Sequence, residues 1–517
     1  MKKLSNLAVH IMKIIGSLIM FFLFIFAFIF TQRHGKVELG EYVCKAPLYQ
    51  INDNIVLNII CVIFYVLLVI LLLHLNKKYQ AVLMKLDKVL FFATPLIIGI
   101  VSLYWVWNSG APIHDQMNIY NAAISFNQKD YSYLVKGAYL NLYPQQLGII
   151  GFYQILLRLF RTEDYRIIQY VNCIFIVGIV ILLYLCLKLI RGKSVDRILL
   201  SISSLVLLPL ILYASFVYGE VPSTFFLFLF CYFILQLYQK KLYKYALLAG
   251  ISGSFMLILR INTAIALIAF LIISVVYCLN YKNWQLLIIS VLISVCCLFP
   301  VKGIQLYYEH VSGYEVDGGL PYELWIAMGI SEEASKPGWY DHYPVTTYLS
   351  VNMDKEQASQ QAFTKIKQRL ELFINTPIEG LSFYKRKICT QWNDPTFNFY
   401  HNSLGGTFTQ DEYTKTSLMD KILNHIDSLL TFLSVSQLIV YGGTLLYALK
   451  RHSPADIFQD IFLLTIIGGF LFSILWEADS RYVLPYYICM LPCALRGWVS
   501  FVQNIICKIK RIGTCDV

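Results

Sequence analysis

Residues 54–88 read NIVLNIICVIFYVLLVILLLHLNKKYQAVLMKLDK. Between Ile55 and Leu75 there is no Asp, Glu, Lys or Arg. A helix of that length reaches about 30 Å, the thickness of a bilayer's hydrocarbon core. The segment that follows carries Lys77, Lys78, Lys85 and Lys88. An apolar run closed by a basic loop is how a membrane helix leaves the bilayer on the cytoplasmic side.

The same unit recurs in both directions along the chain. Spans are expected near 9–31, 54–75, 89–108, 166–189, 196–216, 221–239, 244–259, 262–280, 284–303, 426–449, 457–476 and 481–503, about twelve in all. The expected fold class is therefore an all-α polytopic membrane protein. Composition agrees: 517 residues are 58% hydrophobic and 14% charged, with a mean hydropathy of +0.61. A soluble domain needs a more polar surface than this allows. The net charge of +11 is spread over short basic clusters between the runs, so nucleic acid is not expected as a partner; the lipid bilayer is.

The N-terminal apolar stretch, about Val9 to Phe30, is too long for a signal-peptide core and reads as an uncleaved first span. Most cysteines lie inside apolar runs, where they behave as small hydrophobes. Cys44 and Cys389 fall in expected outer loops, the one pair for which a disulfide could be considered.

Charge fixes the orientation. With the N-terminus inside, the loops Asn76–Lys88, Arg191–Arg197, Gln239–Lys244, Tyr281–Asn283, Lys450–Asp456 and the Lys508–Arg511 tail are cytoplasmic, and nearly all are basic. Both termini are then cytoplasmic, and the plasma membrane is the expected location. This requires leaving out Leu147–Phe160, which is short and flanked by polar residues. It is expected as an interfacial or re-entrant helix within an outer segment, 109–165. Counting it as a short span would make the number of spans odd. A second outer segment, 304–425, is long enough to form a small folded unit or lid.

Ionisable residues at span ends are candidates for function, because charge at bilayer depth is costly. Five places stand out: His114-Asp115, Tyr218-Gly219-Glu220, Arg260 with Asn262, the Glu477/Asp479/Arg481 run, and Lys302. All five fall on the outer side in the charge-derived topology. Arginine forks suit phosphate, and a carboxylate suits activation of a hydroxyl as general base. Together, at bilayer level, these groups fit sugar transfer from a lipid-phosphate carrier.

At these residues the sequence resembles the GT-C superfamily of membrane glycosyltransferases, in particular bacterial enzymes similar to protein O-mannosyltransferases and the lipid A aminoarabinose transferase. The resemblance rests on spaced motifs between about 85 and 500. These are Asp115 after a span, then Tyr139-Leu-Asn-Leu-Tyr143-Pro-Gln145-Gln opening the 147–160 helix, Arg260 in Leu-Arg-Ile-Asn, and the Trp476-Glu-Ala-Asp-Ser-Arg-Tyr-Val-Leu-Pro-Tyr run. The family's frequent Asp-Glu pair is His114-Asp115 here, and its second proline is Gln145. The resemblance implies two extra N-terminal spans (1–85), a transmembrane core (86–303), the 304–425 lid region and a C-terminal helical part (426–517). It implies Asp115 as catalytic base and Arg260 and Arg481 as ligands of the donor phosphate. His114, Glu220, Glu477, Tyr143 and Gln145 would support them, and Trp392 and Asp394 would lie on the acceptor side, Trp392 stacking on a sugar. The donor is expected to be a polyprenyl-phosphate sugar, and the acceptor a cell-envelope glycan, lipid or protein. Some superfamily members use a divalent cation, so Asp115, Glu220 and His114 are a possible oxygen-rich site if the fold joins them. A transporter or flippase, or a polymerase or ligase, for polyprenyl-linked sugars remains an alternative.

Overall fold

The computed structural model describes residues 1–34, 48–316, 318–332, 336–404, 416–450 and 452–512. Cys44 lies outside them; Cys389 is a buried free thiol.

Each stretch expected to span is helical. Among the described residues, nine helices are long and apolar enough to cross a bilayer, or ten if one bent pair is a single span. The count of twelve is thus reduced at three places, each for a physical reason. The expected 196–216 span is two helices, Ser194–Leu205 and Leu208–Ser215, bent by 49°, with Pro209 at the start of the second half; proline has no N–H to continue the ladder. Tyr243–Leu259 has only 17 residues, fewer than the ~20 of an upright span. Leu484–Ile512 is long, but Pro485, Pro492, Arg496 and Ser500 dilute its apolar character. One boundary also moves: the helix beginning at Trp284 continues to Ser312 before Gly313 ends it at φ +73°. Only glycine takes that conformation without strain.

The helices pack as a continuous bundle. Gln80–Trp107 lies on Arg166–Leu189, which packs on Glu220–Lys240; that helix meets Tyr243–Leu259, which meets Trp284–Ser312. Ala264–Tyr281 links this row to Ile461–Leu475, and from there contacts run to Leu484–Ile512, to Ile426–Leu449 and to Lys2–Ile29. Ile426–Leu449 and Leu484–Ile512 approach so closely that a Cβ on Gly497 would strike the Gly443 carbonyl. Small residues let membrane helices meet backbone to backbone.

Leu147–Phe160 is a 14-residue helix ended by Arg161 at φ +50°. It lies against the Asp115–Asn127 helix and against Tyr243–Leu259. Gly148 makes the latter approach possible, since a side chain there would collide with the Ile258 carbonyl. The segment expected to form the second outer loop includes the helices Tyr322–Gly329, Tyr343–Ser350, Lys355–Asn375 and Pro377–Trp392. It has its own small core of Leu320, Leu324, Ala327, Tyr348, Ala358 and Ala362, completed by Leu142 of the 109–165 segment. The two segments therefore fold as neighbours, joined also by the Leu320 N–H to Leu142 carbonyl bond of 3.2 Å.

Candidate functional site

The Tyr243–Leu259 helix stops at Arg260, whose backbone is extended, and a single 3-10 turn, Ile261–Thr263, begins the next helix. Thr263 Oγ1 donates to the Arg260 carbonyl (2.7 Å), fixing the break. Arg260 is thereby turned toward the N-terminus of Glu220–Lys240, where Nη2 lies 3.1 Å from Oε1 of the buried Glu220. A second break, between Trp476 and Leu484, presents Arg481 to the same carboxylate at 3.9 Å. Arg481 Nε also lies 2.9 Å from Asp479 Oδ2, and its Nη2 donates to the Tyr482 hydroxyl (3.2 Å).

Two tyrosine rings hold both guanidinium groups. Arg260 lies 5.3 Å from the Tyr218 ring and 5.0 Å from Tyr482, and Arg481 lies 5.4 and 5.1 Å from the same rings. A flat, delocalised cation suits an aromatic face better than a compact ammonium does. Gln146 fixes Tyr218 by donating to its hydroxyl (2.6 Å), and Tyr482 donates to Glu477 Oε2 (3.2 Å). Among the described residues, no hydrogen bond occupies Nε or Nη1 of Arg260.

Asp115 is the first residue of the Asp115–Asn127 helix. His114 before it has φ +51°, a strained conformation for a residue with a side chain. Gln116 locks the turn: its Oε1 accepts from Val217 N (2.9 Å) and its Nε2 donates to the Asn402 carbonyl (3.2 Å). Asp115 is half-buried, and among the described residues its carboxylate accepts no hydrogen bond.

Asp115, His114, Tyr143, Gln145, Arg260, Glu477 and Arg481 all line one cavity of about 830 Å³. Its remaining walls are of two kinds. One is aromatic: Trp325 and Trp476 stack at 6.1 Å and 16°, Phe472 backs Trp476, and the Tyr340 and Tyr143 hydroxyls meet at 3.2 Å. The other is aliphatic and comes from membrane helices: Ile258, Ile261, Ile265, Ile268, Val301 and Ile304. Ile268 is 55% exposed, so this wall opens laterally from the bundle.

The other sequence candidates fall elsewhere. Glu220 does not line the cavity; it sits behind the arginines, 2% exposed. Lys302 is exposed outside the cavity. Trp392, expected to stack on a sugar, is fully buried, with its indole N–H on Ser473 Oγ (2.9 Å) and its ring against Tyr486. Asp394 is also fully buried. Its carboxylate accepts from Thr396 N (2.9 Å), Thr396 Oγ1 (2.6 Å), Asn398 N (3.2 Å) and Ser480 Oγ (2.6 Å). Both are scaffold for the 476–482 turn rather than cavity surface, because the Pro377–Trp392 helix runs into the bundle. The oxygen-rich cation site is not assembled either: among the described residues no three His, Cys, Asp or Glu side chains cluster for a metal. Glu220 faces Arg260 instead.

Sequence reading missed Lys387. It is fully buried, and its ammonium donates to the carbonyls of Gly329 (2.5 Å), Trp476 (2.7 Å) and Ile474 (2.9 Å). Burial pulls its pKa down to about 7, while three carbonyls use all three N–H groups of the charged form. This staple, with the Ala478 N–H to Gly338 carbonyl bond of 2.7 Å, fastens the Gly329 and Gly338 turns to the arginine-bearing turn. Burial also pushes the Glu477 carboxyl up to about 7, against the opposing pull of Arg481.

The family described as conserved hypothetical integral membrane protein matches residues 8–499. The chain belongs to that family. It is a multi-pass integral membrane protein. No curated protein matches its sequence. Among solved structures it is similar to the Archaeoglobus fulgidus oligosaccharyltransferase tethered with an acceptor peptide, at 15% identity and a TM-score of 0.40, over 82% of this chain and 50% of that one. The apo form of that enzyme gives 12% identity and a TM-score of 0.42, over 82% and 52%. The archaeal oligosaccharyltransferase AglB from the same organism, in complex with an inhibitory peptide and a dolichol-phosphate, gives 14% and 0.39, over 86% and 52%. The chain spans about half the length of these proteins.

Proposed function

We propose that the chain is a membrane glycosyltransferase of the GT-C kind. It transfers a sugar from a polyprenyl-phosphate carrier to a hydroxyl of a cell-envelope acceptor at the outer face of the plasma membrane. The observation that carries this reading is the composition of a single cavity. One wall is aliphatic, comes from membrane helices and opens sideways, as a lipid tail requires. The same cavity holds two aromatic-clamped arginines and a carboxylate that, among the described residues, accepts no hydrogen bond. An amphiphile with a phosphate between tail and head matches that polarity from end to end.

In this reading the donor phosphate meets the free N–H groups of Arg260 and those of Arg481. Glu220 and Asp479 hold the two arginines in place and keep them from repelling each other. The acceptor hydroxyl attacks the sugar carbon that bears the phosphate. Its proton passes to Asp115, a carbon–oxygen bond forms to the acceptor, and the bond to the phosphate oxygen breaks. The departing phosphate carries the charge that the arginines are placed to receive, which is where fixed charge lowers a barrier most. The stacked Trp325 and Trp476 offer a flat apolar face for an acceptor or donor sugar ring, a role the sequence had assigned to Trp392.

One observation favours a second reading. The bent pair Ser194–Leu205 and Leu208–Ser215 is the kind of broken helix used by transporters, and a flippase for the same amphiphile would need the same arginines. The two readings separate in one assay. Purified protein given polyprenyl-phosphate sugar and membrane glycan, with no nucleotide sugar, should release polyprenyl phosphate. Donor moved across vesicles but never cleaved would establish the transporter instead.

A further inference from the structure

At the end of the bundle opposite the large cavity, a cleft of about 200 Å³ is lined by Arg191, Lys193, Asp196, Lys450 and Arg496, with Ser500 and Gln503 among its polar residues. Four cations therefore face one carboxylate. They come from three places: the turn before Ser194–Leu205, the end of Ile426–Leu449, and the middle of Leu484–Ile512. Arg496 follows Leu484 by twelve residues, about 18 Å along the helix axis, so the cleft lies a membrane leaflet or more away from Arg481.

The partners of these cations are mostly neutral. Lys193 Nζ donates to Gln503 Oε1 (3.1 Å), and Lys450 Nζ to Ser500 Oγ (3.3 Å). Arg496 donates to the Tyr447 hydroxyl (3.4 Å) and to Gln459 Oε1 (3.3 Å). Among the described residues, only Arg191 of the four reaches a carboxylate, Asp456 at 3.2 Å. Asp196 turns one oxygen to the Lys193 backbone N–H (2.6 Å), while its other oxygen is buried without a hydrogen bond. Like charges gathered around a solvent-open cleft repel one another unless an anion joins them. Ordinary basic loops at a membrane surface need no such convergence; Lys240 and Lys241 do not line this cleft, and Lys240 lies on the Tyr245 hydroxyl instead (3.3 Å).

We propose that this cleft binds an anionic phosphate group in the leaflet opposite the sugar-transfer cavity, presented by a phospholipid headgroup or as free phosphate. Arg496 is the half-buried base of the site, aligned by Tyr447 and Gln459, and Lys193 and Lys450 close over the phosphate from either side. The occupant ties together Ser194–Leu205 and Leu484–Ile512, helices whose chains lead on to Tyr218 and back to Arg481. Burial together with Arg496 and Lys193 lowers the Lys450 pKa, against the opposing pull of Asp196 and Asp460, and a bound anion adds to the side of those carboxylates.

The test uses the full chain in neutral detergent, with dioctanoyl-phosphatidylglycerol, dioctanoyl-phosphatidylcholine and inorganic phosphate as probes at matched ionic strength. Binding is read by native mass spectrometry and by the shift in Tm. The Lys193→Gln/Lys450→Gln variant is compared with a Lys240→Gln/Lys241→Gln control. Phosphatidylglycerol should bind the wild type and the control alike, and bind the Lys193/Lys450 variant roughly thirtyfold more weakly, the effect of two lysines at a membrane surface. Inorganic phosphate producing the same variant-sensitive shift would identify free phosphate as the source and still support the site. Equal losses in the two double variants would overturn it, as would an unchanged affinity in the Lys193/Lys450 variant or binding of phosphatidylcholine as tight as phosphatidylglycerol. The Tm of each variant without lipid shows whether it has folded.

Discussion

Asp115 opens the Asp115–Asn127 helix and Asp394 follows the end of the Pro377–Trp392 helix, and both read as site residues in the sequence. The structure treats them oppositely. Asp394 is sealed and accepts at least four hydrogen bonds, one of them from Ser480 beside Arg481. Asp115 is half-open, lines the cavity and accepts none among the described residues. A carboxylate whose lone pairs are all engaged holds a turn in shape. One held in place by its backbone but left without partners can take a proton. Chemical type nominates both residues, and hydrogen-bond satisfaction separates them.

The largest effect should come from breaking Asp115. Asp115→Asn keeps the shape of the turn and removes the base, so turnover should fall about 10²–10⁴-fold, with the protein's Tm and donor affinity near wild type. Asp394→Ala should do the reverse. It strands several buried donors, at about 1–3 kcal/mol each, so Tm and folded yield should fall while activity per folded molecule falls less. Activity lost without a drop in Tm would move Asp394 to the Asp115 side of the comparison.

A pH experiment sharpens the contrast further. The Glu477 pKa, about 7 in the folded chain, lies above the ordinary ~4.3 of an unfolded glutamate. The folded state therefore binds its proton more tightly, and the linked stability is full below the unfolded pKa and lost as pH rises through 7. The stability of wild type relative to Glu477→Gln should thus decline between about pH 4.5 and 7; a flat difference would mean that Glu477 is ionised throughout. The smallest effect is expected at the aromatic wall. Trp325→Leu should raise the acceptor KM by about tenfold or less, with kcat nearly unchanged, in line with about 1 kcal/mol for a ring contact.

The helices were legible because hydropathy alone decides what crosses a bilayer. Asp115, Arg260 and Arg481 were legible because charge at span ends is costly enough to imply a use. What stayed hidden depends on contacts between distant segments. Nothing local in Trp392-Asn-Asp394 says that the helix before it dives into the bundle. Nothing local marks Lys387 as a staple across three carbonyls. The Tyr218 and Tyr482 clamp left a faint signal, a tyrosine within two residues of each of Glu220 and Arg481, but tyrosine is too common in a membrane-interface chain to be read alone. The aromatic wall needed Trp325 and Tyr340 to meet Trp476, which no periodicity foretells.

The most direct measurement is the affinity of purified protein for a polyprenyl phosphate without sugar, in wild type, Arg481→Lys and Arg260→Lys. Lysine keeps the charge but loses the planar fork and its fit between Tyr218 and Tyr482. Both variants should fold with near-normal Tm and bind the lipid phosphate at least about tenfold more weakly, the worth of one charge-assisted hydrogen bond. Unchanged affinity in both would contradict a donor phosphate held by this arginine pair, and would leave the two residues as interfacial anchors of the bundle.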